Sequence, residues 1–246
     1  MLRGKIRKWL LNLGWDVRRT SSWAVHKRAE VHRQELDKWR ILKTLSPEAV
    51  LDIGANTGQF AELVRELLPQ VRIISFEPLQ DCFAKLQEKK QQLAPHDCYH
   101  CALGAENGKH IIHRNNFTPS SSLLEMQSRH KEELPRTEQT FPEEIQLRRL
   151  DDLAPELTLP ENFFVKIDVQ GYTAPVLHGG EQTLRKAAAI VAEVSLQPLY
   201  SGETRFAEAY EILTSWGFEY RGNLDQWISR KDARILQCDC LFERVT

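Results

Sequence analysis

The chain has 246 residues, 41% of them hydrophobic, 27% charged and 9% aromatic, with a formal net charge of −1. This is ordinary globular composition, which excludes disordered, collagen-like and low-complexity classes, and the near-neutral charge argues against a whole-surface nucleic-acid binder. No apolar run approaches the ~18 residues of a membrane span, and no secretory signal core is evident, so a cytoplasmic protein is expected.

Taken in chain order, the first 40 residues hold eleven Lys or Arg against four Asp or Glu. Leu2, Ile6, Trp9, Leu10 and Leu13 fall at helical spacing among Arg3, Lys5, Arg7 and Lys8, and Gly14 is a stop signal. Such a stripe either packs on the main domain or a sister subunit, or rests on an anionic membrane surface as a peripheral contact. Residues 1–45 are expected to form this basic helical arm, and 46–246 the main domain.

From residue 50 the pattern alternates. The run Val50-Leu51-Asp52-Ile53-Gly54 reads as a buried strand entering a glycine turn, and residues 59–68 as a helix stopped by Pro69. A second strand over 71–76 closes on Glu77 and Pro78, a helix follows over 81–93, and a third strand is expected over 99–103, ending at Gly104. Short strands at 109–114 and 144–150 flank the polar stretch 115–142, which contains Thr118-Pro119-Ser120-Ser121-Ser122 and has little periodicity. A long connection of this kind is expected to be a lid or substrate-binding insertion, with a surface loop as the plainer alternative. The alternation resumes with a strand at 163–168, a helix at 174–186, a strand at 188–195 and a helix at 206–216. The last two strands, 219–229 and 234–244, have no helix between them and should form an antiparallel hairpin. The fold class is therefore α/β: a mostly parallel, doubly wound sheet with right-handed crossovers and an antiparallel C-terminal hairpin, plus the N-terminal helical arm.

The five cysteines, Cys82, Cys98, Cys101, Cys238 and Cys240, are odd in number and read as reduced thiols. Cys98 and Cys101 are three apart in an expected strand, which points them to opposite faces and suits a shared metal poorly. His96, His100, His110, His113, His130 and His178 show no metal-ligand spacing, so no metal is expected.

Three features carry chemistry. The turn from Asp52 to Gly58 joins a strand to a helix, where glycines permit close backbone approach and the helix start presents free amides. It has no Gly-Lys-Ser/Thr, which excludes a P-loop, and its Gly-x-x-x-Gly spacing disfavours nicotinamide binding. Glu77, at the end of the second strand, is placed to accept bonds from two ribose hydroxyls. The acid Asp52 beside the turn suits a cationic cofactor better than a pyrophosphate, and S-adenosyl-L-methionine fits that description. Asp168 and Glu193 end two further strands at the ligand-binding edge, where acids serve to bind a hydroxyl and take its proton. Lys166, two residues before Asp168 on one strand, projects to the same face.

In combination, Leu51-Asp52-Ile53-Gly54-Ala55-Asn56-Thr57-Gly58, Phe76-Glu77-Pro78, Ala102-Leu103-Gly104, Ser120-Ser121-Ser122-Leu123, Arg149 to Leu153, Lys166 to Gly171 and Glu193-Val194-Ser195 resemble the FkbM-type S-adenosylmethionine-dependent methyltransferases. The resemblance implies a Rossmann-like seven-strand methyltransferase fold and mainly O-methylating chemistry. It further implies cofactor contacts from Asp52, Gly54, Ala55, Asn56 and Gly58, ribose binding by Glu77 with Pro78 beside it, adenine-side contact at Ala102 and Leu103, and Asp168 next to the transferred methyl group. Where the family commonly has Gly-x-Glu, this chain has Gly171-Tyr172-Thr173, which puts the acceptor geometry in question. The expected function is O-methylation of a hydroxyl on a glycan or small metabolite. The alternatives are a metabolite amine or carboxylate acceptor, or a cofactor-binding module without catalysis. The Asn/Asp-Pro-Pro-Tyr/Phe motif of many base methylases is absent, which disfavours a nucleic-acid target.

Overall fold

The computed structural model of the protein describes residues 17–245, so the apolar stripe from Leu2 to Leu13 lies outside the described residues. The chain divides into two compact units, residues 1–40 and 41–246. In the first, α1 (Val17–Lys38) ends on Lys38, whose ammonium pairs with Glu35 at 2.7 Å. No helix among the described residues is long and apolar enough to cross a membrane.

The second unit opens with the short helix α2 (Ile41–Leu45), and its strands then alternate with helices. β1 (Ala49–Ile53), β2 (Arg72–Phe76), β3 (His96–Tyr99), β7 (Phe163–Ile167) and β8 (Ala189–Ser195) run parallel, while β9 (Phe218–Ile228) and β10 (Ile235–Arg244) form the antiparallel hairpin, with β10 beside β8. The seven-strand order is β3-β2-β1-β7-β8-β10-β9. β1 and β7 are buried at every position, as central strands covered on both faces must be. The chain winds outward from β1 in one direction and then from β7 in the other. The two central strands therefore bound the point where strand order reverses, and their carboxyl ends open a crevice. Between β1 and β2 lies α3 (Gln59–Leu67), and between β2 and β3 lies α4 (Gln80–Lys89). Leu51, Ile53, Val165 and Ile167 meet Leu150, Leu153, Val176, Leu177 and Leu213 in the main core.

Three local expectations are corrected. The strand expected over 99–103 stops at Tyr99, because His100 turns away to bond the Pro78 carbonyl at 3.0 Å and to stack on Phe83. Ala102–Leu103 (β4) instead joins β5 (Gly108–Asn115) and β6 (Thr140–Arg148) in a separate three-stranded sheet, order β4-β6-β5. The helix expected over 174–186 is broken in two, α7 (Thr173–Gly179) and α8 (Glu181–Leu184). A Cβ on Gly179 would lie 1.7 Å from the Gly104 carbonyl oxygen, so a glycine must stand where α7 meets the β4 turn. Sequence reasoning also passed over α6 (Leu150–Leu157), whose two leading acids, Asp151 and Asp152, lie in its first turn.

The stretch 115–142 is ordered. It carries α5 (Ser128–Glu133) between two single 3₁₀ turns and is clasped at its base by Asn115. The buried Asn115 carboxamide donates to the Thr137 and Gln139 carbonyls at 2.7 and 3.1 Å and accepts from the Phe117 amide at 2.8 Å, so both of its polar atoms are bonded.

The Gly179→Ala substitution is expected to destabilise the protein by about 1–3 kcal/mol or more, the usual cost of overpacking, and urea unfolding measures it.

Candidate active site

The carboxyl ends of β1, β2, β7 and β8 enclose a cavity of about 230 Å³. On one side it is lined by Gly54, Asn56, Glu77 and Pro78; on another by Ala102, Leu103, Ile112 and Leu123; at its far end by Asp168, Gln170 and Glu193. Among the described residues that line it there are three carboxylic acids and no Lys or Arg.

The first wall is a backbone device. The amides of Gly54 and Ala55 both donate to the Phe76 carbonyl at 3.0 Å, which sews the β1 turn to the end of β2. Gly54 has φ +88, and a Cβ there would lie 1.9 Å from the Asp168 carbonyl oxygen, so the turns after β1 and β7 touch through their main chains. Asn56 also takes a left-handed conformation, φ +49. Its amide donates to Glu77 Oε2 and the Leu79 amide to Glu77 Oε1, both at 2.8 Å. Across the cavity Asn56 Nδ2 donates to Thr118 Oγ1 at 3.1 Å, joining this wall to the 115–142 stretch. Glu77 is 4% exposed, and burial pushes its carboxyl up to about 7 even though two amides favour the charged form.

At the far end, Asp168 Oδ2 meets Lys166 Nζ at 2.8 Å. Gln170 Nε2 donates to Asp168 Oδ1 at 3.0 Å and to Glu193 Oε2 at 2.7 Å, and Gln237 Nε2 reaches the same Glu193 oxygen at 3.1 Å. Burial would raise Asp168, but the Lys166 ammonium and the Gln170 amide hold it below the usual carboxylate range. Burial and the negative charge of Asp168 and Asp239 push Glu193 well above its ordinary value. The two acids are thus pushed in opposite directions, Asp168 toward its charged form and Glu193 toward its neutral one. Burial would lower Lys166, yet the carboxylates of Asp168, Asp52 and Asp239 raise it.

Gly54, Asn56, Glu77, Pro78, Ala102, Leu103, Asp168 and Glu193 line the cavity. Asp52, Ala55, Gly58 and Lys166 are not among its lining residues. Asp52 is fully buried beside its register partner Lys166, with no hydrogen bond to either carboxylate oxygen among the described residues, and burial pushes it up to about 6. Ala55 and Gly58 form the back of the turn, where a Cβ on Gly58 would crowd Leu86 at 2.8 Å. Thr173 is buried at the start of α7, and its hydroxyl donates to the Glu193 main-chain carbonyl at 3.0 Å. Gln170, Tyr172, Thr118, Ser121 and Ser122, which fall within motifs of the sequence but were given no site role there, also line the cavity. Gln170 had a signal in the Asp-Val-Gln-Gly run, whereas Gln237 had none. No group of three or more His, Cys, Asp or Glu among the described residues is placed to hold a metal ion.

These groups fit S-adenosyl-L-methionine. Each Glu77 oxygen accepts one amide and keeps a lone pair for a ribose hydroxyl. Leu79, Leu103 and Ile112 offer an apolar slot for a purine, and the all-acid lining suits a cation. The open α/β sheet with this crevice defines an S-adenosyl-L-methionine-dependent methyltransferase. The methyltransferase FkbM domain model matches residues 52–220, and the chain belongs to that family. It is 29% identical over 193 residues to the 2-O-methyltransferase NoeI of Sinorhizobium fredii, spanning 76% of this chain and 78% of that one. It is also 27% identical over 205 residues to the AMB antimetabolite synthetase AmbE of Pseudomonas aeruginosa, of which the match spans only 10%. Among solved structures, magnesium protoporphyrin IX methyltransferase of Synechocystis PCC 6803 with bound S-adenosylmethionine aligns over 98% of this chain and 96% of its own, at 13% identity and TM-score 0.47. The plantazolicin methyltransferase BpumL with S-adenosylhomocysteine aligns over 92% and 90%, at 10% identity and TM-score 0.49.

The raised Glu77 carboxyl has a pH consequence. Its contribution to stability is greatest below its ordinary midpoint of 4.5 and is lost as pH rises toward about 7, because the folded state then holds a buried charge. The Glu77→Gln variant sets an NH2 group against one of the two amides that bond Glu77, so without cofactor it should be less stable than the parent near about pH 4, and the gap should close by about 1–3 kcal/mol near about pH 8, as urea titrations at both values would measure.

Proposed function

We propose that the protein transfers the methyl group of S-adenosyl-L-methionine to a hydroxyl oxygen of a neutral glycan or small metabolite. The observation that carries this reading is the paired acids at the end of the cavity, Asp168 bonded to Lys166 at 2.8 Å and both acids bridged by Gln170 Nε2. The name of the relative NoeI, a 2-O-methyltransferase, supports an oxygen acceptor. Bound in the cavity, the cofactor supplies an electrophilic methyl group on a sulfonium.

The chain's own work is positioning and charge. Glu77 receives the ribose diol, Gly54 and Asn56 flank it, and Ala102 and Leu103 bound the purine. Pro78 lines the cavity beside Glu77, and Asp52, Ala55 and Gly58 hold these contacts in place from behind. Asp168 holds the acceptor hydroxyl in line and takes its proton as the new bond forms, with Lys166 keeping the carboxylate charged beforehand. Glu193 retains its proton and presents no second negative charge. Residues 115–142 supply the acceptor-side wall through Thr118, Ser121 and Ser122. The absence of Lys and Arg among the described lining residues favours a neutral acceptor over an anionic one, and an amine is the second reading that this same lining supports.

The test is incubation with methyl-labelled cofactor and a panel of neutral sugars, amino sugars and sugar acids. A labelled product stable to both mild base and mild acid is the expected methyl ether. A base-labile product would be an ester, and label on nitrogen would establish the amine reading.

Two variants test the roles. Glu77→Ala should weaken cofactor binding by roughly 2–4 kcal/mol in calorimetry, as the loss of a two-pronged charge-assisted contact does. Asp168→Asn keeps the shape and removes the charge, so turnover should fall about 10²–10⁴-fold with only a modest loss of cofactor affinity. Near-normal turnover would reduce Asp168 to a structural residue.

A further inference from the structure

Tyr200 lies outside the cavity lining, yet its hydroxyl stands at the head of the only chain of side-chain bonds described between the 115–142 stretch and both acids. It is 1% exposed. Its O–H donates to Gln170 Oε1 at 2.9 Å, and the same oxygen lies 3.2 Å from the Ser120 carbonyl and 3.2 Å from His130 Nε2. The His130 ring packs at 5.2 Å from the Tyr200 ring and at 5.3 Å from Trp227 of β9, so the phenol is held from both the insertion and the hairpin. Burial lowers His130 to about 4, which leaves it neutral near pH 7.

Gln170 is the element that needs such a partner. It sits at φ +49 in the turn after β7, and its side chain has three free torsions with every polar atom at the tip. Its Nε2 must stand within bonding distance of Asp168 Oδ1 and Glu193 Oε2 together, at 3.0 and 2.7 Å. Those two bonds alone leave the carboxamide free to follow whichever acid moves. The Tyr200 hydroxyl fixes the other end.

We propose that Tyr200 is a positioning residue: by holding Gln170 Oε1 it keeps the carboxamide bridging the two acids, and so sets their separation and the amide bond that each receives. The proposal rests on reading Asp168 and Glu193 as the reacting pair, but it assigns a residue that touches neither. The other charged groups facing the pair are Lys166 on β7, Asp52 on β1 and Asp239 on β10, and Glu203 faces Tyr200 itself. None of them bonds the Gln170 carboxamide among the contacts described.

The experiment is a carbon-13 NMR titration of the Asp and Glu carboxyl groups in the full chain saturated with S-adenosylhomocysteine, comparing the parent with Tyr200→Phe. The ring and its packing remain, so the backbone spectrum should hold while the thermal midpoint falls by the few degrees that an orphaned buried acceptor costs. Losing the amide donor, Asp168 and Glu193 should each titrate higher than in the parent by about one pH unit, Asp168 toward its ordinary value and Glu193 further above its own, the scale of a lost hydrogen bond to a charged group. Gln170→Ala should shift both midpoints in the same direction, and the double variant should go no further. Parent-like titration of both acids in folded Tyr200→Phe overturns the proposal, as does an additive double variant. Should Tyr200→Phe not fold, Gln170→Ala decides alone, and unmoved midpoints there overturn the bridge. A parallel arm measures the preference of Asp168→Asn for S-adenosylmethionine over S-adenosylhomocysteine. An unchanged preference there removes Asp168 from the sulfonium and leaves the Tyr200 result standing on its own.

Discussion

The site depends on two turns touching through their backbones. Where the winding of the sheet reverses, the loop leaving β7 presses its Asp168 carbonyl into the space that a side chain at residue 54 would fill. The amide of Asp168 returns a bond to the Ile53 carbonyl at 2.9 Å, and the Phe76 carbonyl accepts from Gly54 and Ala55. Three strand ends are thereby fixed to one another by main-chain groups, whose positions do not vary with rotamer. Glu77 and Asp168 inherit that precision, because each begins where one of these strands ends.

Upon this frame the charges are arranged with economy. The single ammonium described near Asp168 and Glu193, that of Lys166, is buried under them instead of lining the cavity, with the Phe60 ring 5.4 Å away. Its attraction acts mainly on Asp168, to which it is bonded. Glu193 faces Asp168 and Asp239 and has carboxamides as its hydrogen-bond partners, so burial wins there and the proton stays. Two acids of similar chemistry end in opposite states because one has a cation within 2.8 Å and the other does not.

Much of this was legible in the sequence. Central strands buried on both faces read as continuous apolar runs, and the acids at their ends stood out because each interrupts such a run. The hairpin was legible from the missing helix between its strands. What escaped was decided by contacts between distant segments. Nothing local says that His100 will turn toward Pro78 and send Ala102 into another sheet, or that Gly179 must meet Gly104. The bonds of Gln237 and Tyr200 join residues 30 to 44 positions apart, and neither residue type is informative alone. The weak periodicity of 115–142 has its reason here: the segment is closed by a buried asparagine and not by a repeating pattern.

That asparagine has a consequence for how such a protein diversifies. Asn115 closes its loop with a single carboxamide spanning the Thr137 and Gln139 carbonyls, so the two ends of the segment are joined independently of what lies between them. Exchanges inside the loop that spare Thr118, Ser120, Ser122 and His130, whose bonds reach Asn56, Tyr200 and Gln170, keep that closure and the cavity wall intact. The clasp thus separates the positions of the segment that can vary from those that the rest of the molecule holds.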